Sequence, residues 1–326
     1  MTSRCKTVLA ALGLAGTMIA STPAGAAGAA AALPKGPVRV VVPYPAGGNA
    51  DNLARLFAER MTRDTGTTFV VENRGGAGGS IGAQAVAAAA GDGTTLLLAP
   101  TGVHVITPHL RQVPYDPFKD FVPIAKLTST IGIVAARRDL PAKDMRDFIT
   151  YAKASGGKSS FGSAGLGTLT HLQGEVVSIK TGAKMLHVPY KGSAEALNDL
   201  LAGRIDVLYD PVALQQIKAG KLKALASTGA ERHPDLPDVP TLRELKLDYS
   251  LPSWYGLYAP KGMPPALVSQ YAAAAERVLK APDVKAQLMK YSQYPTFEGP
   301  EEFSRQLAVD DAFYRQLIKD GNIRLE

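Results

Sequence analysis

VRVVVPYPAGGNADNLARL, residues 38–56, reads as a short apolar strand, a turn of proline and glycine, and the opening of a helix. The strand is Val38 to Val42. Pro43 and Pro45 forbid its regular continuation, because proline fixes φ and has no N–H. Gly47 and Gly48 permit a sharp turn and carry no side chain to block a ligand. Asn49 or Asp51 can cap the helix. Its apolar residues Leu53, Leu56, Phe57 and Met61 recur at helical spacing, with Arg55, Glu59 and Arg60 on the other face. A strand feeding a glycine turn feeding a helix offers unpaired N–H groups and the positive end of a dipole. That is a seat for a phosphate or carboxylate. The same pattern describes a plain turn that binds nothing, and this stretch alone leaves both readings open.

The rhythm continues outward. Thr67 to Glu72 is a second strand, followed by the glycine-rich run Asn73 to Gly79 and an alanine-rich helix over Ser80 to Ala90. Thr94 to Ala99 is a third strand, apolar throughout its centre as strands buried on both faces are, and it ends in Pro100-Thr101-Gly102. Alternating strands and helices predict a parallel sheet with helices on its faces. Phe121 to Arg137 is one long extended stretch, read as a crossover out of the first domain. A second strand–loop–helix block follows, with strands at 159–162, 185–189, 205–209 and 222–227. Thr241-Leu242-Arg243-Glu244 is a capping box. Trp254 to Ala259 is the return strand. Helices opening at Pro264–Pro265, Pro282 and Pro300 place proline where a helix start tolerates it, and they pack back on the first domain.

The N-terminus reads as a targeting segment. Arg4 and Lys6 precede an apolar stretch, Thr7 to Ala20, too short to span a bilayer, and Ala24-Gly25-Ala26 fits a small-x-small cleavage pattern. Residues 1–26 are therefore expected to be removed, leaving an exported, soluble chain. Cys5, the only cysteine, goes with them, which excludes disulfides, Cys-ligated metals and Cys nucleophiles from the remainder. The formal charge of +7 becomes +5 without Arg4 and Lys6, a mild balance that favours anionic partners. The Lys and Arg residues are scattered, with no basic run interleaved with aromatics, so no nucleic-acid partner is expected.

Four loops stand at the carboxyl ends of strands, where open α/β sheets hold ligands: 43–49, 73–79, 100–102 and 163–168. Ser163, Thr168 and Thr101 add hydroxyls to these loops, although each also fits a cap or turn role. Gly165-Leu166-Gly167-Thr168-Leu169-Thr170 lacks the third glycine of a dinucleotide fingerprint, and no acidic residue ends the next strand. Phe161 occupies the first-glycine position of a nucleophile elbow around Ser163. The five histidines show no metal-ligand spacing. Asp206 and Asp210, four apart on a strand, would stand ~13 Å apart, too far for joint acid–base work. Asp210, at the carboxyl end of its strand, is placed to receive a cationic group or to fix a loop. No enzyme, cofactor or metal is expected from these residues.

Taken together, VVPYPAGGNAD (41–51), VVENRGGAGGSIGA (70–83), VPYDPFKDF (113–121), FGSAGLGTLTHL (161–172), HVPYKGSAEAL (187–197) and SWYGLYAP (253–260) resemble one family, the Bug receptors. These are the extracytoplasmic solute-binding proteins of tripartite tricarboxylate transporters. The resemblance covers nearly the whole chain beyond residue 38. It departs at Gly75, where the family usually has Pro, and at Ala99-Pro100-Thr101, where Gly or Ala is usually followed by Thr or Ser. The resemblance implies an α/β, two-lobed periplasmic binding protein, a type II-like flytrap with two hinge strands. Lobe 1 would comprise 38–131 plus 254–326, and lobe 2 132–253. It implies a receptor that captures a small organic carboxylate between the lobes and delivers it to membrane transporter subunits. Presentation to a membrane sensor is the alternative, and an α/β enzyme acting on a carboxylate a further one. A periplasmic monomer is expected. Carried onto this sequence, the ligand-gripping residues would be Tyr44, Ala46, Gly47 and Gly48 on one side and Ser163, Gly165 and Thr168 on the other. Thr101, Tyr190 and Asp210 are placed near the cleft by topology. With no fixed Arg in these loops, neutral donors would do most of the gripping.

Overall fold

The computed structural model describes residues 33–229, 231–247 and 251–325. The targeting segment read over 1–26, with Cys5, lies outside the described residues, as does Glu326.

The chain builds two sheets. The first contains β1 (Val38–Val42), β2 (Phe69–Asn73), β3 (Thr95–Pro100), β4 (Phe121–Thr130), β10 (Trp254–Pro260) and β11 (Gln293–Glu298). The second contains β5 (Ile133–Arg137), β6 (Ser160–Ser163), β7 (Leu186–Pro189), β8 (Val207–Tyr209) and β9 (Leu222–Ser227). The strand orders are β11-β4-β10-β3-β1-β2 and β7-β6-β8-β5-β9.

Both sheets are buried on both faces, which is why their central strands read as apolar runs. Val38, Val40 and Val42 of β1 pack with Leu53, Phe57 and Met61 of the helix Asn49–Thr65 and with Tyr271 of the helix Pro265–Lys280. Val41 points the other way, into a cluster with Leu97, Trp254, Phe303 and Tyr314. This is the period-two alternation of a strand. Val134 and Ala136 of β5 likewise face one cluster and Ala135 another. Each large apolar side chain so enclosed contributes ~1.5–3 kcal/mol relative to exposure.

Three expectations change. The sheets are mixed rather than parallel: β10 runs antiparallel to both β3 and β4, and β5 antiparallel to β8 and β9. The stretch 121–137 is two strands, β4 in one sheet and β5 in the other, broken at Ile131–Gly132. And β11, a strand the sequence reading did not anticipate, edges the first sheet beside β4.

The break at 131–132 is flanked on both sides. Thr130 N donates to Ser253 O at 2.8 Å, and Thr228 N donates to Gly132 O at 2.9 Å. The outgoing link thus lies between the two ends of the returning segment. A Cβ on Gly132 would stand 2.4 Å from Thr228 Oγ1, so the close approach of the two passages requires glycine there.

Candidate functional site

Three helices begin on the wall of one cavity of about 140 Å3 between the sheets. From the first sheet, β1 leads through Tyr44, Ala46 and Gly48 into the helix Asn49–Thr65. From the second, β6 leads through Ala164 and Thr168 into the helix Leu169–Thr181. The segment after β7 leads through Gly192 into the helix Ser193–Leu201. In each helix the first intrahelical acceptor is the carbonyl just before it: Asn52 N reaches Gly48 O, Leu172 N reaches Thr168 O and Ala196 N reaches Gly192 O. The amides ahead of these have no carbonyl one turn back. Three positive helix ends on one cavity make a site for negative charge with no cationic side chain required.

The caps explain how the loops hold their shape. Gly48 is the N-cap of the first helix and supplies no side chain. Asp51, expected as a possible cap, reaches back instead to accept from Gly47 N at 3.0 Å, and Gly47 takes a positive φ of 88°. Asn49 directs its amide away from its own helix, donating to Asp210 Oδ1 across the cavity at 3.4 Å. Thr168 is a true cap, accepting from His171 N at 3.4 Å.

Of the ten residues expected at the site, Tyr44, Ala46, Gly48, Thr168 and Asp210 line this cavity. Gly165 and Tyr190 line a neighbouring cavity, together with Tyr44. Gly47 forms the turn behind Ala46 and Gly48. Ser163 and Thr101 do not line the site. Ser163 is fully buried, its hydroxyl 2.6 Å from His187 Nε2 and accepting from Gly165 N at 3.1 Å. Gly165 N is thereby engaged within its own loop. Thr101 opens a short helix, Thr101–Val105, where a loop was expected. Its hydroxyl donates to Trp254 O at 3.1 Å and accepts from Trp254 N at 2.8 Å. It clamps β10 to the end of β3. Thr101→Val therefore strands the Trp254 N–H and is expected to lower unfolding free energy by about 2 kcal/mol in urea titrations.

The sequence reading missed Gln173 and Tyr209. Both are buried, both line the cavity, and Gln173 Nε2 and Tyr209 Oη find no hydrogen-bond partner among the described residues. Buried polar atoms are almost always paired, so these two groups are what a polar ligand would satisfy. Gln173 lies one turn into the helix Leu169–Thr181, on the face it shares with Leu169 and Thr170.

The charged side chains lining this cavity are Glu195 and Asp210, both acidic. Burial pushes the Asp210 carboxyl above the usual range, opposed by hydrogen bonds from Ser193 and Val212 N. A carboxyl whose folded-state pKa is raised binds its proton more tightly when folded. Its stabilising contribution is therefore full below the ordinary carboxylate range and is lost as pH rises through the raised value. Asp210→Asn keeps the shape without the charge, so its stability advantage over the parent is expected to grow as pH rises, read from paired unfolding curves. Burial also pushes His171 down to about 3, helped by its neighbour His187, and His187 down to about 4. Both rings, stacked at 4.2 Å, are neutral at neutral pH and lend the site no positive charge.

Among the described residues no helix is long and apolar enough to cross a membrane. The sequence pattern described as "Tripartite tricarboxylate transporter family receptor" matches residues 53–322. Protein BugT of Bordetella pertussis is 30% identical over 322 residues, 97% of this chain and 98% of its own. R. palustris Rpa4515, solved with adipate, superposes with a TM-score of 0.86 at 32% identity, covering 89% of this chain and 99% of that one. MatC from Rhodopseudomonas palustris, solved with bound malate, gives a TM-score of 0.84 at 31% identity over 88% of this chain and 100% of that one. With its two sheets and the cavity between them, the chain belongs to the tripartite tricarboxylate transporter receptors, the Bug family of two-lobed periplasmic solute-binding proteins.

Proposed function

We propose that this receptor captures a small organic carboxylate between its two sheets and delivers it to the membrane subunits of a tripartite tricarboxylate-type transporter. The observation that carries the reading is the meeting of three helix N-termini with the unpartnered Gln173 amide and Tyr209 hydroxyl on one cavity. The bound adipate and malate of the two relatives support the same ligand class.

In this reading the carboxylate accepts from first-turn amides, and Gln173 and Tyr209 supply neutral donors. Lobe 1 comprises 38–131 with 254–326, and lobe 2 comprises 132–253. The limits are supported by sheet membership and by the narrow link at Ile131–Gly132. The lobes hinge there and close over the ligand. Closure follows ligand binding only to the extent that the closed form binds better. Capture, closure and hand-over involve no bond-making, so the site needs no acid, base or nucleophile. The chain works in the periplasm after export, as one copy.

A thermal-shift screen against carboxylic acids tests this. A ligand present at a hundred times its Kd adds ~2.7 kcal/mol to the unfolding free energy. Binding by one or two acids is the expected result. A folded protein that answers to none, and that releases no acid when denatured and analysed by mass spectrometry, would remove the proposal. For a confirmed ligand, Gln173→Leu is expected to weaken binding about tenfold, as loss of one hydrogen bond to a charged group does. Calorimetry reads it directly.

A further inference from the structure

We infer that the acid this receptor takes carries a single negative charge on an apolar body about the size of a benzene ring, a monocarboxylate of the benzoate or hexanoate class. The inference rests on the carboxylate reading above and specifies the rest of the ligand.

The charge of the cavity allows one carboxylate. Among the described residues no Lys, Arg or His side chain lines it, and its charged groups are Glu195 and Asp210. Glu195 stands in the first turn of the helix Ser193–Leu201 and accepts from Lys191 N at 3.3 Å, so that helix end already faces a carboxylate of its own. The helix Leu169–Thr181 has no acid in its first turn. The helix Asn49–Thr65 has Asp51, but Arg55 balances it at 2.9 Å. Each of these two ends carries roughly half a unit of positive charge, so together they balance one carboxylate. A second anionic group would find no counter-charge left. It would also stand among Glu195 and Asp210, the latter set as an acceptor by Asn49 Nδ2, Ser193 Oγ and Val212 N.

The size and lining of the cavity suit an apolar body. Pro100 at the end of β3 and Tyr255 of β10 are register partners, and Leu251 lies just before β10. With Ala164 and Leu169 from the second sheet's side, they give the cavity an apolar wall. Its volume of about 140 Å3 is close to the ~150 Å3 of an apolar protein cavity that takes up benzene. A fused double ring exceeds that space. An apolar body offers no partner to the Gln173 amide or the Tyr209 hydroxyl, so both are left for the carboxylate itself.

The test is calorimetry with acids matched in chain length, butyrate with succinate, valerate with glutarate and hexanoate with adipate, and with benzoate against 2-naphthoate for size. In every pair that binds, the monoacid is expected to bind about tenfold or more tighter than its diacid, and benzoate about tenfold or more tighter than 2-naphthoate. The E195Q/D210N double variant leaves the wall uncharged and is expected to cut the monoacid's lead about tenfold. Should that variant not fold, the comparisons on the parent protein decide. A diacid that matches its monoacid, 2-naphthoate that matches benzoate, or a lead unchanged in the folded double variant would each overturn the inference, while the carboxylate receptor stands. If no acid in the set binds, the inference falls, and the wider thermal-shift screen decides the carboxylate reading.

Discussion

Gly192→Leu is expected to lower ligand affinity by ~100-fold or more while leaving the folded protein nearly as stable as the parent. Gly192 precedes the helix Ser193–Leu201 with φ −172° and ψ 170°, an extended conformation open to any residue. The substitution therefore brings no backbone strain. A Cβ on Gly192 would already lie 3.2 Å from Pro45 Cδ, on the loop after β1. In the proposed hinge motion, the rest of a leucine side chain would overlap that loop in the closed form and be solvated in the open one. In the proposed motion the variant penalises the closed form, and because Gly192 lines the cavity the leucine also takes room from the ligand there; a ligand can close the protein only through its differential affinity for that form. Calorimetry gives the affinity loss. Small-angle scattering gives its cause: the parent should contract on adding ligand and the variant should not. Contraction at full amplitude in the variant would show that the Pro45–Gly192 approach does not gate closure.

The second large effect concerns the helix that follows β1. Asn49→Pro places proline at the first helical position, where its fixed φ and missing N–H are tolerated. Gly48, with φ −86° and ψ 175°, has the conformation a residue before proline favours. The change deletes one first-turn amide and the side chain that bridges to Asp210. Asn49→Ala deletes only the bridge. The difference between the two variants isolates the amide and is expected to be about tenfold or more in Kd, the size of a hydrogen bond to a charged group. Equal affinities would mean that the ligand does not sit at this helix end.

What could be read in the sequence was local. The turn at 43–49 and the cap at Thr168 depend on residues a few positions apart, so proline, glycine and threonine announced them. Ser163 and Thr101 misled because their hydroxyls answer to groups far along the chain. Ser163 meets His187, 24 residues on, and Thr101 meets Trp254, 153 residues on. The strand β11 was hidden by Pro295, yet an edge strand accepts proline because its outward N–H needs no partner. The box at Thr241 forms both reciprocal bonds, Thr241 N to Glu244 Oε2 at 2.7 Å and Glu244 N to Thr241 Oγ1 at 3.0 Å. It heads a turn rather than a helix, and Lys246 with φ 58° ends it. Gln173 looked like any polar residue of a helix. Only the convergence of three helix ends, one of them more than a hundred residues before the other two, gives its amide a task.

The seat of β10 between β3 and β4 also orders events during synthesis. When residues 38–130 have emerged, the first sheet consists of β2, β1 and β3 plus an unpaired β4, with its middle missing. The strand that fills the gap is made only after the whole of the second sheet. Bringing Trp254–Pro260 back to Thr95–Pro100 closes a loop of some 150 residues, a slow search whose entropy must be met before the pairing rewards it. The second sheet is drawn entirely from residues between Ile133 and Ser227 and can assemble first. The larger sheet thus stays without its middle strand until Trp254–Pro260 has been made, after every strand of the smaller one.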